Sequence, residues 1–175
     1  MVRTPRLVVP GYPHHVTQRG NRRQRIFSSS DDCNSYLQLI AETTDMIPIE
    51  IWAYCLLPKH RHFVVVPTCE NGLAAFFSHM HRLYTRRVNF RHGWRGHLWQ
   101  ERFHSVVMDE RHLLGSVRYA ELNPVRAGLC DAPEKWRWSS VHAHLKGSND
   151  GITNVTPMAE RVGDWGEYLT QSSDE

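Results

Sequence analysis

The chain has 175 residues, 41% of them hydrophobic and 22% charged, with a net charge of +3, which describes one ordinary globular domain able to bury a sizeable core. No apolar run approaches the ~18–20 residues that span a bilayer. Val8-Val9 runs at once into Pro10-Gly11, leaving no signal-peptide core, so a cytoplasmic protein is expected. The four cysteines show no C-x-x-C spacing, which argues against a zinc knuckle or a disulfide framework.

Residues 1–30 hold six arginines and no acid. Within them His15-Val16-Thr17-Gln18-Arg19 alternates apolar and polar and reads as a first strand, followed by a basic loop, Arg19-Gly20-Asn21-Arg22-Arg23. Ser30-Asp31-Asp32 is a helix start; Tyr36, Leu37, Leu39 and Ile40 continue an amphipathic helix that Pro48 stops. Ile49–Leu56 alternates again, Pro58-Lys59 turns, and His60–Val66 returns as a hairpin partner. Leu73, Phe76, Phe77, Met80 and Tyr84 recur at helical spacing in a helix running to about Val88. Leu98-Trp99 and Phe103–Met108 read as a bent fourth strand, and Asp109 can cap a helix with Leu113, Leu114, Val117 and Leu122 on its buried side. The order β-α-β-β-α-β plus one helix predicts an α+β, ferredoxin-like or RRM-like core. The division expected is a domain over 1–146 and an acidic, partly ordered tail over 147–175. The body carries +8 and the tail −5.

Two side-chain patterns carry chemistry. On a strand, His60 and His62 point the same way, about 7 Å apart, and can share one metal ion. His-x-His also occurs as His79/His81 and His142/His144. Both of those fall on predicted helices, where i and i+2 are roughly 200° apart and cannot chelate. On a helix, Tyr119 and Asn123 are i and i+4 and share a face. Two imidazoles, an amide and a phenol would make a metal-assisted tyrosine nucleophile. Each residue also has a plainer reading: surface or core histidines, a half-buried tyrosine, an asparagine ending a helix before Pro124. Eighteen of the 21 basic residues are arginine, which suits phosphate and base recognition but is also common in soluble proteins.

Four segments, 15–23, 57–62, 96–103 and 118–129, lie in the order and relative positions that resemble the REP-associated tyrosine transposases, within the single-tyrosine HUH transposases related to the IS200-like elements. The resemblance runs from about Pro10 to Leu145. It implies a ferredoxin-like fold carrying the catalytic tyrosine on an added helix, and a transposase and endonuclease that cleaves and rejoins single-stranded DNA at REP-type hairpins through a 5′-phosphotyrosine. It matches Tyr119 to the nucleophile and His60, His62 and Asn123 to the ligands of a divalent cation, for which mixed N/O donors suit Mg²⁺ or Mn²⁺. It implies DNA contacts from Arg19, Asn21, Arg22, Arg23, Arg102 and Arg126, a nucleoid-associated site in a bacterium, and a monomer with a homodimer as the alternative. Arg61 departs from the pattern, in which the residue between the histidines is hydrophobic; either an acid pairs with it or its face is partly open to solvent. Two other classes remain: an RRM-like nucleic-acid-binding module without strand transfer, and a hydrolase using water as nucleophile. The tail either restrains activity by competing with DNA for the arginines, with Trp165 and Tyr168 resting in a base-sized pocket, or merely solubilises.

Overall fold

In a computed structural model the protein is described over residues 6–171. Strand β1 spans His14–Arg19 and a 3-10 turn follows over Asn21–Arg23. Helix α1 (Ser30–Met46) starts one residue earlier in its capping than the sequence suggests. Ser29 is the N-cap, its hydroxyl accepts from the Asp32 amide, and the Asp32 carboxylate accepts from Ser28 and Ser29 amides in return. Strands β2 (Ile49–Leu57) and β3 (His60–Pro67) form the hairpin, α2 spans Gly72–His92, β4 His104–Val107 and α3 Glu110–Arg126. Beyond these lie α4 (Val141–Lys146), α5 (Thr156–Ala159) and α6 (Trp165–Thr170).

The four strands form one antiparallel sheet in the order β2-β3-β1-β4, the ferredoxin-like arrangement. Its register fixes the site. Thr17 of β1 stands opposite His62 of β3 on one side and His104 of β4 on the other. Residues directly opposite share a face and successive residues alternate. One face therefore carries His15, Thr17, His60, His62, Val64 and His104; the other carries Val16, Gln18, Arg61, Phe63 and Val65.

The second of these faces is covered by α1 and α2 in a large core that includes Val16, Tyr36, Phe63, Phe76, Phe77 and Tyr84. The first is covered by α3 together with α4 and the tail, in a core of Ala53, Val64, Leu113, Val117, Val141, Met158, Trp165 and Leu169. Over its described residues, 147–171, the tail is thus packed structure rather than a partly ordered appendage. Its apolar residues complete a sheet face that α3 and α4 leave uncovered. Its contacts include Trp165 on Glu121, the Leu169 carbonyl on Arg118, and Arg161 on Glu110.

Three further expectations are corrected. Helix α3 continues through Pro124 to Arg126, with the Ala127 amide closing onto the Asn123 carbonyl at 2.9 Å; Asn123 and Pro124 are both buried, and packing overrides the local bias against helix before proline. The fourth strand is only four residues long, and Trp99 meets Gly20 through an isolated bridge instead. Arg61 meets neither acid nor solvent. It is fully buried, its guanidinium 4.5 Å from the Phe77 ring centroid and 5.0 Å from Phe63, and it donates to the Nε2 of His81. Cation–π contact replaces the carboxylate. Burial and the Arg61 charge hold the His81 pKa well below its ordinary value, which keeps its ring neutral and able to accept.

All four cysteines are free thiols. Among the described residues no helix is long and apolar enough to cross a membrane.

Candidate active site

Strand β3 delivers His60 and His62 to the sheet face that α3 crosses, and their ring centroids lie 5.2 Å apart. Tyr119 sets its ring edge against His62, at 5.6 Å and 80°. One helical turn later, the Asn123 amide lies 3.4 Å from His62 Nε2 and also bonds His60. Asn123 is buried, whereas Tyr119 is 42% exposed. The four residues therefore converge, with the amide in reach of both imidazoles and the phenol open to the solvent side. A cavity of about 460 Å³ holds His60, His62 and Tyr119, together with Arg19, Arg102 and His104.

Burial pushes the His62 pKa down to about 3, helped by the nearby His15, His60 and Arg61. Burial also lowers His60, and Arg19 adds to this, against the opposing effect of a hydrogen bond that the His60 ring makes to Asn123. Neutral imidazoles keep the lone pairs that a metal needs. Among the described residues no three of His, Cys, Asp and Glu converge to hold a metal. The fit here depends on Asn123 as third donor, and His/His/Asn with an open side toward Tyr119 is a chemically sound set for a divalent cation.

Two site histidines escaped the sequence reading. His15 stacks on His62 at 5.3 Å and 19°, with its Nε2 3.1 Å from His62 Nδ1. His104 reaches the cavity from β4, and with burial it lowers the His15 pKa. The alternation in β1 hinted at the face of His15, but only the register across β4-β1-β3 places His15 beside His62 and sets His104 across Thr17 from it.

The arginines divide. Arg19 and Arg102 line the cavity, and the Arg126 guanidinium lies 5.2 Å from the Tyr119 ring centroid. Asn21 is engaged with backbone: its amide N–H donates to the Leu98 carbonyl at 2.8 Å and its side chain to that of His97. Arg22 and Arg23 are exposed and held at φ of 53° and 57°; neither lines the cavity.

The profile of the family described as "Transposase IS200 like" matches residues 9–123. A Haemophilus influenzae protein of the REP-associated tyrosine transposase type is 25% identical over 128 residues, covering 67% of this chain and 73% of the relative. The REP-associated tyrosine transposase of Escherichia coli is 25% identical over 96 residues, 54% of this chain and 56% of that protein. In three dimensions the chain matches a REP-associated tyrosine transposase solved bound to a REP hairpin, with a TM-score of 0.72 at 20% identity, over 99% of this chain and 96% of the other.

Proposed function

Because the chain belongs to the IS200-like transposase family, we propose that it cleaves and rejoins single-stranded DNA beside REP-type hairpins, with Tyr119 as the nucleophile. The observation that carries this reading is the convergence of Tyr119 and Asn123 from α3 on His60 and His62 from β3. The Tyr119 phenol oxygen attacks the scissile phosphorus. The bond to the 3′ oxygen breaks, the phenol proton ends on the liberated 3′-hydroxyl, and the 5′ phosphate stays on the tyrosine as a phosphodiester. The adduct keeps the energy of the broken bond, so a 3′-hydroxyl attacking it reseals a strand without ATP.

His60, His62 and Asn123 would hold Mg²⁺ or Mn²⁺. When bound, such a cation supplies positive charge to the non-bridging phosphate oxygens. Arg19 and Arg102, in the same cavity, orient the phosphate, and Arg126 above the Tyr119 ring keeps the phenol facing it. His15 fixes the His62 ring from behind. All these groups come from one chain, which supports a monomer acting with its own tyrosine, working in the cytoplasm where nucleoid DNA is found. An RRM-like module that only binds would use aromatic side chains on its two central strands. Here β1 and β3 present histidines to that face.

The test is incubation with single-stranded hairpins from the flanks of the protein's own gene, with Mn²⁺ or Mg²⁺. The expected products are a free 3′-hydroxyl strand and a denaturation-resistant protein–DNA adduct. His60→Ala and His62→Ala should lose both the cleavage and Mn²⁺ binding, while His79→Ala, on α2, keeps them. Binding without cleavage in every metal would favour the binding module; products without an adduct would favour a hydrolase.

A further inference from the structure

A second cavity, of about 530 Å³, opens between α2 and the segment 97–103. Arg82 and Arg86 line one wall, and Arg6 and Arg102 line the other. Arg82 and Arg86 are i and i+4 on α2, both exposed, so they stand one above the other along the cleft. Arg6 donates to the Phe103 carbonyl and lies over its ring, 3.7 Å from the centroid. Burial lowers the Arg6 pKa, and the charge of Arg102 adds to the shift. Among the described residues none of the four pairs with a carboxylate, and Glu101 is the one acid on the walls. Four cations gathered in a concave surface repel one another, and the field they focus favours an anion.

This cleft is not isolated from the active site. Glu101 and Arg102 line both cavities, so the two adjoin across a single turn. That turn is held deliberately. Glu101 sits at a φ of +58°, where a side chain is strained, and its carbonyl accepts a 2.8 Å hydrogen bond from the side chain of buried Gln18. Gln18 lies one residue from Thr17 and Arg19, which line the active-site cavity. The strand bearing the site therefore also fixes the ridge between the two cavities, with Arg102 at its crest.

We propose that the arginine cleft binds backbone phosphates of the unpaired DNA strand that continues from the scissile phosphate, led over the ridge by Arg102. The proposal rests on the DNA-cleaving reading above and names the substrate feature that reading leaves open: a stretch of single strand, besides the hairpin, on one side of the cut. A cleft between a helix and a loop accepts an extended strand, whereas a duplex is read by a protruding element entering its groove. Flexible single strands held by arginine phosphate contacts bind in a sequence-tolerant way, so the cleft sets the length of strand required rather than its sequence.

The experiment measures binding alone, in a Tyr119→Phe background that forms no adduct. Fluorescence anisotropy follows a labelled REP-type hairpin with no extension, or with a homopolymer single strand of ~8 nucleotides on its 5′ or its 3′ side, over a series of salt concentrations. An extension on one side should tighten binding and steepen the log–log salt slope. Arg82→Ala with Arg86→Ala should remove about 1.4 from that slope, at ~0.7 per single-strand phosphate contact, and abolish the gain from the extension. Arg82→Lys with Arg86→Lys should retain most of the slope. Both arginines are on the surface, and circular dichroism confirms that the variants fold. Equal affinity and equal slope for extended DNA in parent and alanine variant would overturn the cleft while leaving the cleavage reading intact. The converse result, a length-dependent slope that the variant loses while the Tyr119 protein forms no adduct, supports the cleft and counts against the cleavage reading. Failure to bind any of the oligonucleotides overturns both.

Discussion

Replacing Glu121 with alanine should cost about 3–5 kcal/mol of folding stability, because the carboxyl group it removes is the hub of a buried polar network. Glu121 is fully buried on α3. One of its oxygens accepts from the Ser140 hydroxyl at 2.6 Å and from His144 Nδ1 at 2.6 Å; the other accepts from Trp165 Nε1 at 2.8 Å. The network ties α3 to α4, to the turn before it and to α6. Alanine would strand three donors inside a core, each worth about 1–3 kcal/mol, less what the serine and an entering water recover. Glu121→Gln keeps one acceptor oxygen but presents an N–H₂ to at least one donor, so its cost should be roughly half. Equilibrium urea unfolding followed by tryptophan fluorescence reads both directly. At an m-value of ~2 kcal/mol/M the alanine variant should lose roughly 1.5–2.5 M from its midpoint. A cycle with Trp165→Phe should show a coupling of about 1 kcal/mol or more. A midpoint shift under roughly 0.5 M at unchanged m would refute the view that the tail is clamped to α3 through this carboxyl.

Three other outcomes follow from the same geometry. Deletion of residues 147–175 removes Trp165 and Leu169 from the second core, so thermal unfolding should show a marked loss of stability; a truncated protein as stable as the full chain would show that the tail is dispensable to the fold. His15→Ala should weaken Mn²⁺ binding about 10- to 100-fold while leaving the circular dichroism spectrum unchanged, and unchanged affinity by calorimetry would remove His15 from the site's support. The pH dependence has a definite sign. Burial lowers the pKa of His14 and of His81, with Arg61 adding to the shift at His81. Below the unfolded value of about 6.5 the unfolded chain therefore binds more protons than the folded one, and stability, full above that pH, falls as pH drops toward the lowered folded values. Each group contributes at most ~1.4 kcal/mol per pH unit over that window. Urea midpoints at pH 7.5 and 5.5 check this, and His81→Gln should flatten the difference; a midpoint that rises on acidification contradicts it.

Much of this arrangement was legible in the sequence because it depends on local periodicity. Alternation placed β1, β2 and β3. Helical spacing placed α2 and α3, and the same two periods placed His60 with His62 and Tyr119 with Asn123. What was not legible depends on partners far along the chain. His15 and His104 join the site through strand register, which no local pattern encodes. Arg61 looked like a surface or ion-paired residue because its cage is assembled from Tyr36, Phe63, Phe77 and Trp99, drawn from four separate segments. The tail reads as an appendage because of its Gly and Pro density and because its apolar residues follow no period. Trp165 and Leu169 find their places only against a face that β2, β3 and α3 have already built. The Glu101 turn, which joins the two cavities, is a left-handed conformation at a non-glycine residue and leaves no mark in composition.

The central claim is that Tyr119 forms the covalent bond to DNA, and peptide mapping of the trapped complex tests it most directly. The protein is incubated with Mn²⁺ and a hairpin oligonucleotide carrying a labelled strand, denatured, digested with protease and nuclease, and analysed by tandem mass spectrometry. The account predicts one nucleotide-modified peptide, with a 5′-phosphate remnant on Tyr119, and no such peptide from Tyr119→Phe. A remnant on another residue, or an adduct of equal yield in the phenylalanine variant, would contradict it.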